Sequence, residues 1–445
     1  MTGGDLLSRC RNAVARAKRC GADEAEAFGE TARSITVTIE KNDLQIARSQ
    51  QEDMLGIRAI RSGGQGFACT NNPDGLEAAC RDAVDLAKGS PADGHNVFPA
   101  IAAVSMVDGI YDPSAVEFTI EDALGETIKM LDLATEMDRR IILGDGLFSV
   151  EVGERAIVNS RGLELAERGS LFSYFVLATA KEGERVSNMD YQFDACRAVS
   201  EIDVGPITER ACRNALGSLG AEKGESFNGT VLLSPNAVFS ILVGLIAHQV
   251  SGKSVLRGMS RWGETLGRPV AVPALTIVDD GRAPGGVATA SFDREGTAHR
   301  KTVLINEGTL ETLVHNAYSA HAAGVETTGH ASGSARTLPG VGPTNFEILP
   351  GAVSRDELIA DTRKGLLVTR FSGTTNPISG DFSGVAKGAY LIAEGRLTRP
   401  VTGTLIAGNA FEALTGVSGI SSERERVLHT TLPTLRIENA SVTAG

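Results

Sequence analysis

The sequence predicts an α+β chain. Its N-terminal domain holds two helix–antiparallel-sheet units, and its C-terminal domain is an antiparallel barrel- or sandwich-like β fold with one buried helix. Three observations predict this. The order helix, strands, helix occurs twice in the first half, without a βαβ rhythm. Strands punctuated by glycine dominate the second half, in a chain with 51 glycines among 445 residues. Between them the stretch from Ser234 to Val250 is almost wholly apolar and reads as a helix with no polar face. A chain of this length exceeds one ordinary core, and the spacing of elements divides it into residues 1–220 and 221–445.

Leu6 to Lys18 has the apolar spacing of an amphipathic helix, stopped at Cys20-Gly21. Ser34 to Glu40 alternates with Ile35, Val37 and Ile39 on one face, and Asn42-Asp43 turns it into a short strand from Leu44 to Ile46. Met54–Ile60 and Gln65–Cys69 form a hairpin about Ser62-Gly63-Gly64, and a helix follows from Leu76 to Lys88. A linker rich in Gly, Pro and Ala covers 89–103. The second unit begins with a helix opened by Thr119 and Glu121-Asp122 and ending near Arg139. Leu147–Val152, Ala156–Asn159, Leu163–Ala166 and Ser170–Ala180 read as its strands, and Pro206–Leu219 as its closing helix.

The second domain starts with a strand from Ser226 to Leu233 that runs into the apolar helix. Ser234 stands at the N-cap and Pro235 at the first helical position. Val270–Val278 reads as a strand. Lys301–Leu313 folds at Asn306-Glu307-Gly308, and Tyr390–Arg399 folds at Glu394-Gly395. Asp356–Gly365 is a short helix with a glycine stop, and Thr434–Glu438 a last strand.

Composition narrows the function. A net charge of −12 and a single tryptophan argue against nucleic acid and against an anionic membrane as partners. Met1-Thr-Gly-Gly-Asp5 has neither a basic nor an apolar leader segment, and no apolar run is long enough to span a bilayer, so a cytoplasmic location is expected. The six cysteines all lie in the first half without a C-x-x-C pair and read as reduced thiols.

The apolar helix ends in His248-Gln249-Val-Ser-Gly-Lys253. A metallopeptidase helix needs a histidine, an adjacent glutamate as base and a second histidine about one turn on. Gln249 cannot take a proton, and Lys253 is a cation that repels a metal. On chemistry alone this is a polar helix end and no zinc site. His299, His315, His321 and His330 lie close together in sequence, at spacings that match no common ligand pattern. The loops Thr327-Thr328-Gly329-His330 to Ser334 and Phe371 to Gly384 are dense in small hydroxyl residues and glycine. Such loops expose backbone groups that can bind an extended peptide or an anion, or they are simply tight turns. Neither holds a phosphate loop or a nucleophile elbow.

Six segments occur in an order that resembles the TldD/PmbA family of peptidases. They are Ser291-Phe-Asp-Arg-Glu-Gly296, Tyr318-Ser-Ala320, Thr327–His330, Gly365–Val368, Asn376–Ser383 and Thr404–Asn409. The resemblance implies a two-domain subunit that dimerises around a cavity. In the heterodimeric members one subunit, TldD, carries zinc on H-E-x-x-x-H plus a C-terminal cysteine, and the other, PmbA or TldE, lacks these ligands. Here only His248 keeps its position. Gln249 and Lys253 replace the glutamate and second histidine, and no cysteine follows Cys212. The resemblance is therefore to the metal-free PmbA/TldE subunit. It implies a non-catalytic partner of a TldD-like zinc-binding chain, with no cofactor of its own. Peptide would be bound through Thr327, Thr328, Gly329, His330, Asn376, Gly380, Asp381 and Ser383. The rivals are a stand-alone homodimeric hydrolase using His299, His315, His321, His330 or Asp381, and a plain peptide- or carrier-binding module.

Overall fold

Helix Gly4–Arg19 buries Leu6, Cys10, Ala13, Val14 and Ala17, which recur on one face at helical spacing. It packs beside helix Leu76–Gly89 on the strands Glu24–Glu40 and Asp43–Arg61. The computed structural model describes residues 4–445, so the leader reading of residues 1–5 falls in part outside the described residues. The second unit repeats the plan, with helices Ile120–Met137 and Gly205–Gly217 covering Ile141–Asn159 and Glu164–Glu182. A capping box of Thr119 and Asp122 starts the first of these helices, as the sequence signals.

The two units share one seven-stranded sheet. Its order is Gly64–Thr70, Asp43–Arg61, Glu24–Glu40, Ile141–Asn159, Glu164–Glu182, with Arg185–Val186 and Asp190–Cys196 both against the last. The leading strands of the two units pair antiparallel, from Glu26 opposite Asn159 to Glu40 opposite Asp145. Four of these strands run 17 to 19 residues, where about 5–6 is usual. The sequence reading split them into pieces for a physical reason. Residues 45–52 are exposed on both faces, so the alternation that marks a half-buried strand is missing there. The ladder nevertheless continues through 46–52, opposite 32–38, with a bulge at Gln45.

In the C-terminal half, strand Phe227–Leu233 lies between Lys364–Val368 and Thr430–Thr443 in a sheet of fourteen strands. This sheet curls around the predicted buried helix, whose Val238, Ile241, Leu242, Leu245, Ile246 and Val250 enter the core. The helix starts at Pro235 after Ser234, but Ser234 makes no side-chain cap; its carbonyl receives Ala237 and Val238 N–H instead. A π-turn over Phe239–Val243 divides it into Pro235–Val238 and Gly244–Val250. The extra residue re-aims the last turn, a feature common at functional sites. The strand expected over Val270–Val278 shrinks to Ile277–Asp280. Pro273 has no N–H to give a ladder, and residues 270–272 bond instead to Gly308 and Leu414. No helix among the described residues is long and apolar enough to cross a membrane.

The two halves meet along buried polar seams. At one, Asp190 is 6% exposed and accepts from Gln192 Nε2, while Arg370 of the C-terminal half donates to Met189 O beside it. Burial pushes the Asp190 carboxyl up to about 6, against the lowering pull of its bonds to Gln192 and Asn214 and of Arg370. A folded pKa above the unfolded one means stability fully present below the unfolded value and lost as pH rises through the folded one. Asp190→Asn removes that loss. Its advantage over the parent in thermal unfolding is expected to grow from pH 4 to pH 6 and stay level above, reaching roughly 2–3 kcal/mol.

Candidate functional site

The π-turned helix delivers His248 and Gln249 to a loop, residues 257–262, that folds back over its end. His248 is half-buried. Its Nε2 lies 3.0 Å from Met259 O and its Nδ1 3.4 Å from Ser254 Oγ. Since a carbonyl only accepts, Nε2 carries the proton and donates it, and Nδ1 is left to accept from the serine. Both ring nitrogens are committed, one to the loop and one to the helix Gly252–Leu256.

Gln249 is fully buried and brackets three segments. Its Nε2 donates to Pro377 O at 2.6 Å, and its Oε1 accepts from Arg261 N at 2.6 Å and Ser260 Oγ at 3.2 Å. Its own carbonyl takes a second bond from Ser260 Oγ. A glutamate could not make the bond to Pro377, because an ionised carboxylate has no N–H. Lys253 is half-buried at the start of the short helix Gly252–Leu256, where burial and then the neighbouring Arg257 lower its pKa. Zinc would need free lone pairs and a basic carboxylate here, and the helix end has neither to offer. The residues present do not fit the metal. Among the described residues no set of three or more His, Cys, Asp or Glu side chains is placed to hold an ion.

Of the two loops singled out by sequence, one touches this helix end through Pro377 and the other reaches it through His315. Residues 376–380 form the turn between Arg370–Thr375 and Asp381–Lys387. Asn376 Oδ1 accepts from Ile378 N and Ser379 N, the Asx-turn its side chain favours, and Pro377 is held by Gln249. Gly380 has a φ of +86°, and a Cβ there would strike the Phe411 ring and Asn409 Oδ1. Asn409 donates to Ser379 O and Asp381 Oδ1. That bond, with one from Ser379, holds the Asp381 carboxyl below the usual carboxylate range. Asn376, Asp381 and Ser383 are exposed. Among the described residues, strand Arg370–Thr375 pairs on one side only, with Asp381–Lys387, so its other edge carries backbone groups outside the ladder beside exposed Ser372, Gly373 and Thr374.

The second loop is turned inward. Thr328 Oγ1 accepts from His315 N at 2.7 Å, and Thr327 Oγ1 donates to His315 O. His330 is 2% exposed, with Nδ1 on Thr328 and Nε2 3.1 Å from Asp279 Oδ2, whose carboxylate also takes Thr344 N and Oγ1. Thr328, Gly329 and His330 are buried, and the polar groups of Thr328 and His330 are used internally. His315 packs on the helix exit so closely that a Cβ on Gly252 would clash with its ring. Of the nominated histidines, His299 and His315 are kept neutral. Burial, then Arg155 and His330, push His299 down to about 3, and burial lowers His315. His321 lies apart from this site, on helix Ala317–Ala323.

Sequence reasoning missed the clasp that holds the two halves together. In Ser291–Gly296, Arg294 Nη1 meets Glu26 Oε1 at 3.0 Å, and Glu295 Oε1 meets Arg58 Nη1 at 2.8 Å. Arg58 Nη2 closes the chain on Glu26 Oε2 at 2.7 Å. All four side chains are at most 3% exposed. Each guanidinium also lies over a ring, Arg58 on Phe98 and Arg294 on Phe28. Burial pulls Arg58 down, yet Glu26 and Glu295 more than offset it and its pKa ends raised; Arg294 ends lowered, with burial the larger influence. Nearby, Arg197 donates to the carbonyls of Gly286, Val287, Thr289 and Ser170. The signal was Asp-Arg-Glu in a stretch with little else to solvate it, legible as buried charge only once Glu26 and Arg58 are opposite.

Comparison with known proteins follows the same division. Residues 226–444 match the PmbA/TldA metallopeptidase C-terminal domain, 25–87 its domain 1 and 116–219 its central domain. The chain is 30% identical to a metalloprotease TldD homolog of Haemophilus influenzae, over 91% of this chain and 86% of that one. It is 24% identical to metalloprotease PmbA of Escherichia coli O157:H7, over 91% and 88%. The crystal structure of TldE from Thermococcus kodakarensis superposes with a TM-score of 0.88 at 24% identity, covering 98% of this chain and all of that one.

Proposed function

Since the chain belongs to the PmbA/TldD metallopeptidase family, we propose that it is the non-catalytic member of a two-chain peptidase. It pairs with a TldD-like chain that carries the zinc, holds no zinc at its own helix end, and works in the cytoplasm. The supporting observation is the helix end. The position that a zinc-bearing chain would give to a base is occupied by an amide fixed on Pro377 O, and the next ligand position by an ammonium.

Its contribution is to hold peptide. The open edge of Arg370–Thr375, with Asn376, Asp381 and Ser383 at its turn, offers a row of backbone donors and acceptors to an extended chain of any sequence. Such recognition suits short or unfolded peptides, modified ones included. Thr327–His330 acts behind this edge by fixing His315 against the helix exit. A stand-alone hydrolase built on His299, His315 or His330 is disfavoured because these rings are buried and bonded within the fold.

Metal analysis of the purified chain, alone and co-purified with a TldD-like chain, tests the proposal. Zinc is expected at one per complex and none in the chain alone, and His248→Ala is expected to leave both figures unchanged. Stoichiometric zinc in the chain alone, lost on His248→Ala, would overturn the proposal, as would failure to co-purify.

A further inference from the structure

Residues 90–112 cross from one unit to the other as a strap without regular secondary structure. The strap is tied to both halves of the molecule. Asp93 N donates to Gly63 O and Arg161 to Phe98 O in the N-terminal half, while Ser291 Oγ receives Val107 N and Arg282 donates to Ser105 O in the C-terminal half. At its start His95 meets His321 of helix Ala317–Ala323, the two rings tilted at 61° with centroids 5.3 Å apart. Their Nδ1 atoms lie 3.0 Å apart, and both residues are exposed.

Two imidazole nitrogens that face each other share at most one proton between them. With one proton they form a hydrogen bond; with none, both lone pairs point at the same space. Nitrogens bound at about 2.0–2.1 Å to one ion and 3.0 Å apart subtend roughly 90–97° there, the angle of neighbouring positions in an octahedral or square-planar complex. A tetrahedral ion would need them about 3.3–3.4 Å apart. The surroundings favour a cation. Asp93 Oδ1 accepts from His95 N at 2.9 Å and Oδ2 from Tyr318 OH at 2.8 Å, so an ionised carboxylate is fixed beside both rings. Exposure lets water fill the positions that no protein group takes.

We propose that His95 and His321 form a two-histidine clip for a divalent transition ion of octahedral or square-planar habit, which fastens the strap to the C-terminal half. It is separate from the helix-end position discussed above and independent of the peptidase assignment. Nickel is the ion to use, since it prefers these geometries and binds imidazole well.

Calorimetric titration of Ni²⁺ into the untagged full-length chain at pH 7.5 tests it. One site per chain is expected, weakened at least ten-fold by His95→Ala and by His321→Ala, and not weakened further in the double variant. Ni²⁺ should also raise the Tm of the parent chain but of neither variant. Binding that survives both substitutions, or no site in the micromolar range, would overturn the clip. Both residues are on the surface, so the variants are expected to fold, and their unchanged Tm without nickel checks this.

Discussion

Glu26→Ala is expected to cost about 3–5 kcal/mol of stability. Glu26 is fully buried and is the carboxylate shared by Arg58 and Arg294. Removing it leaves two guanidiniums in the interior, with Glu295 left to pair with Arg58 and none of the three remaining side chains able to reach water. The Arg58 Nε and Arg294 Nη2 donors already lack partners, so the site has no slack to redistribute. Because the network ties strands of the first unit to the 291–296 segment, the halves should loosen before either unfolds. Differential scanning calorimetry is expected to show one transition splitting into two. A single transition at the parent temperature would mean the network contributes little.

Gln249→Glu is the second large effect, and it runs against intuition. The substitution restores the residue a zinc peptidase uses, yet it is expected to destabilise the chain by roughly 3 kcal/mol at pH 8. The side chain is fully buried, Pro377 O loses its donor, and a negative charge would face that carbonyl oxygen. Protonating the new carboxyl restores an O–H donor. Burial raises its folded pKa, so by the sign argument used for Asp190 the loss should shrink as pH falls below the folded pKa. Gln249→Ala should lack that pH dependence while freeing the Asn376–Gly380 turn. Hydrogen exchange at Ile378 and Ser379 reads that release. Equal pH dependence in the two variants would show that the amide's bond to Pro377 is not what matters.

How much of this was legible in the residues depends on where their partners lie. The buried helix was readable because every part of it is local: a proline at the first position, an apolar body, a polar end. The hairpins at Ser62-Gly63 and Glu394-Gly395 were readable for the same reason, with positive φ at both residues of each turn. The strand Asp43–Arg61 was broken into pieces because residues 45–52 have no buried face, and only the neighbouring strand keeps them extended. At the site, the replacement of glutamate by Gln249 could be read directly. Its bond to Pro377 could not, since the partner lies 128 residues on. Thr328 and His330 looked like loop residues free to bind, because serine-, threonine- and glycine-rich composition is the same for an exposed turn and one folded inward. Asp279 and Thr344, which absorb His330, carry no local mark of that role.

The pairing of Glu24–Glu40 with Ile141–Asn159 has a kinetic consequence. These partners are more than a hundred positions apart, and together they form the spine of the first sheet. Loop closure on that scale must precede the reward of the ladder, so the sheet is expected to assemble late, after each unit has collapsed on its own helices. Until then each unit exposes a strand of 17 to 19 residues with one bare edge. During synthesis the first unit must wait with that edge open for the second to emerge. A chain truncated between them would keep it open indefinitely, ready to pair with another copy.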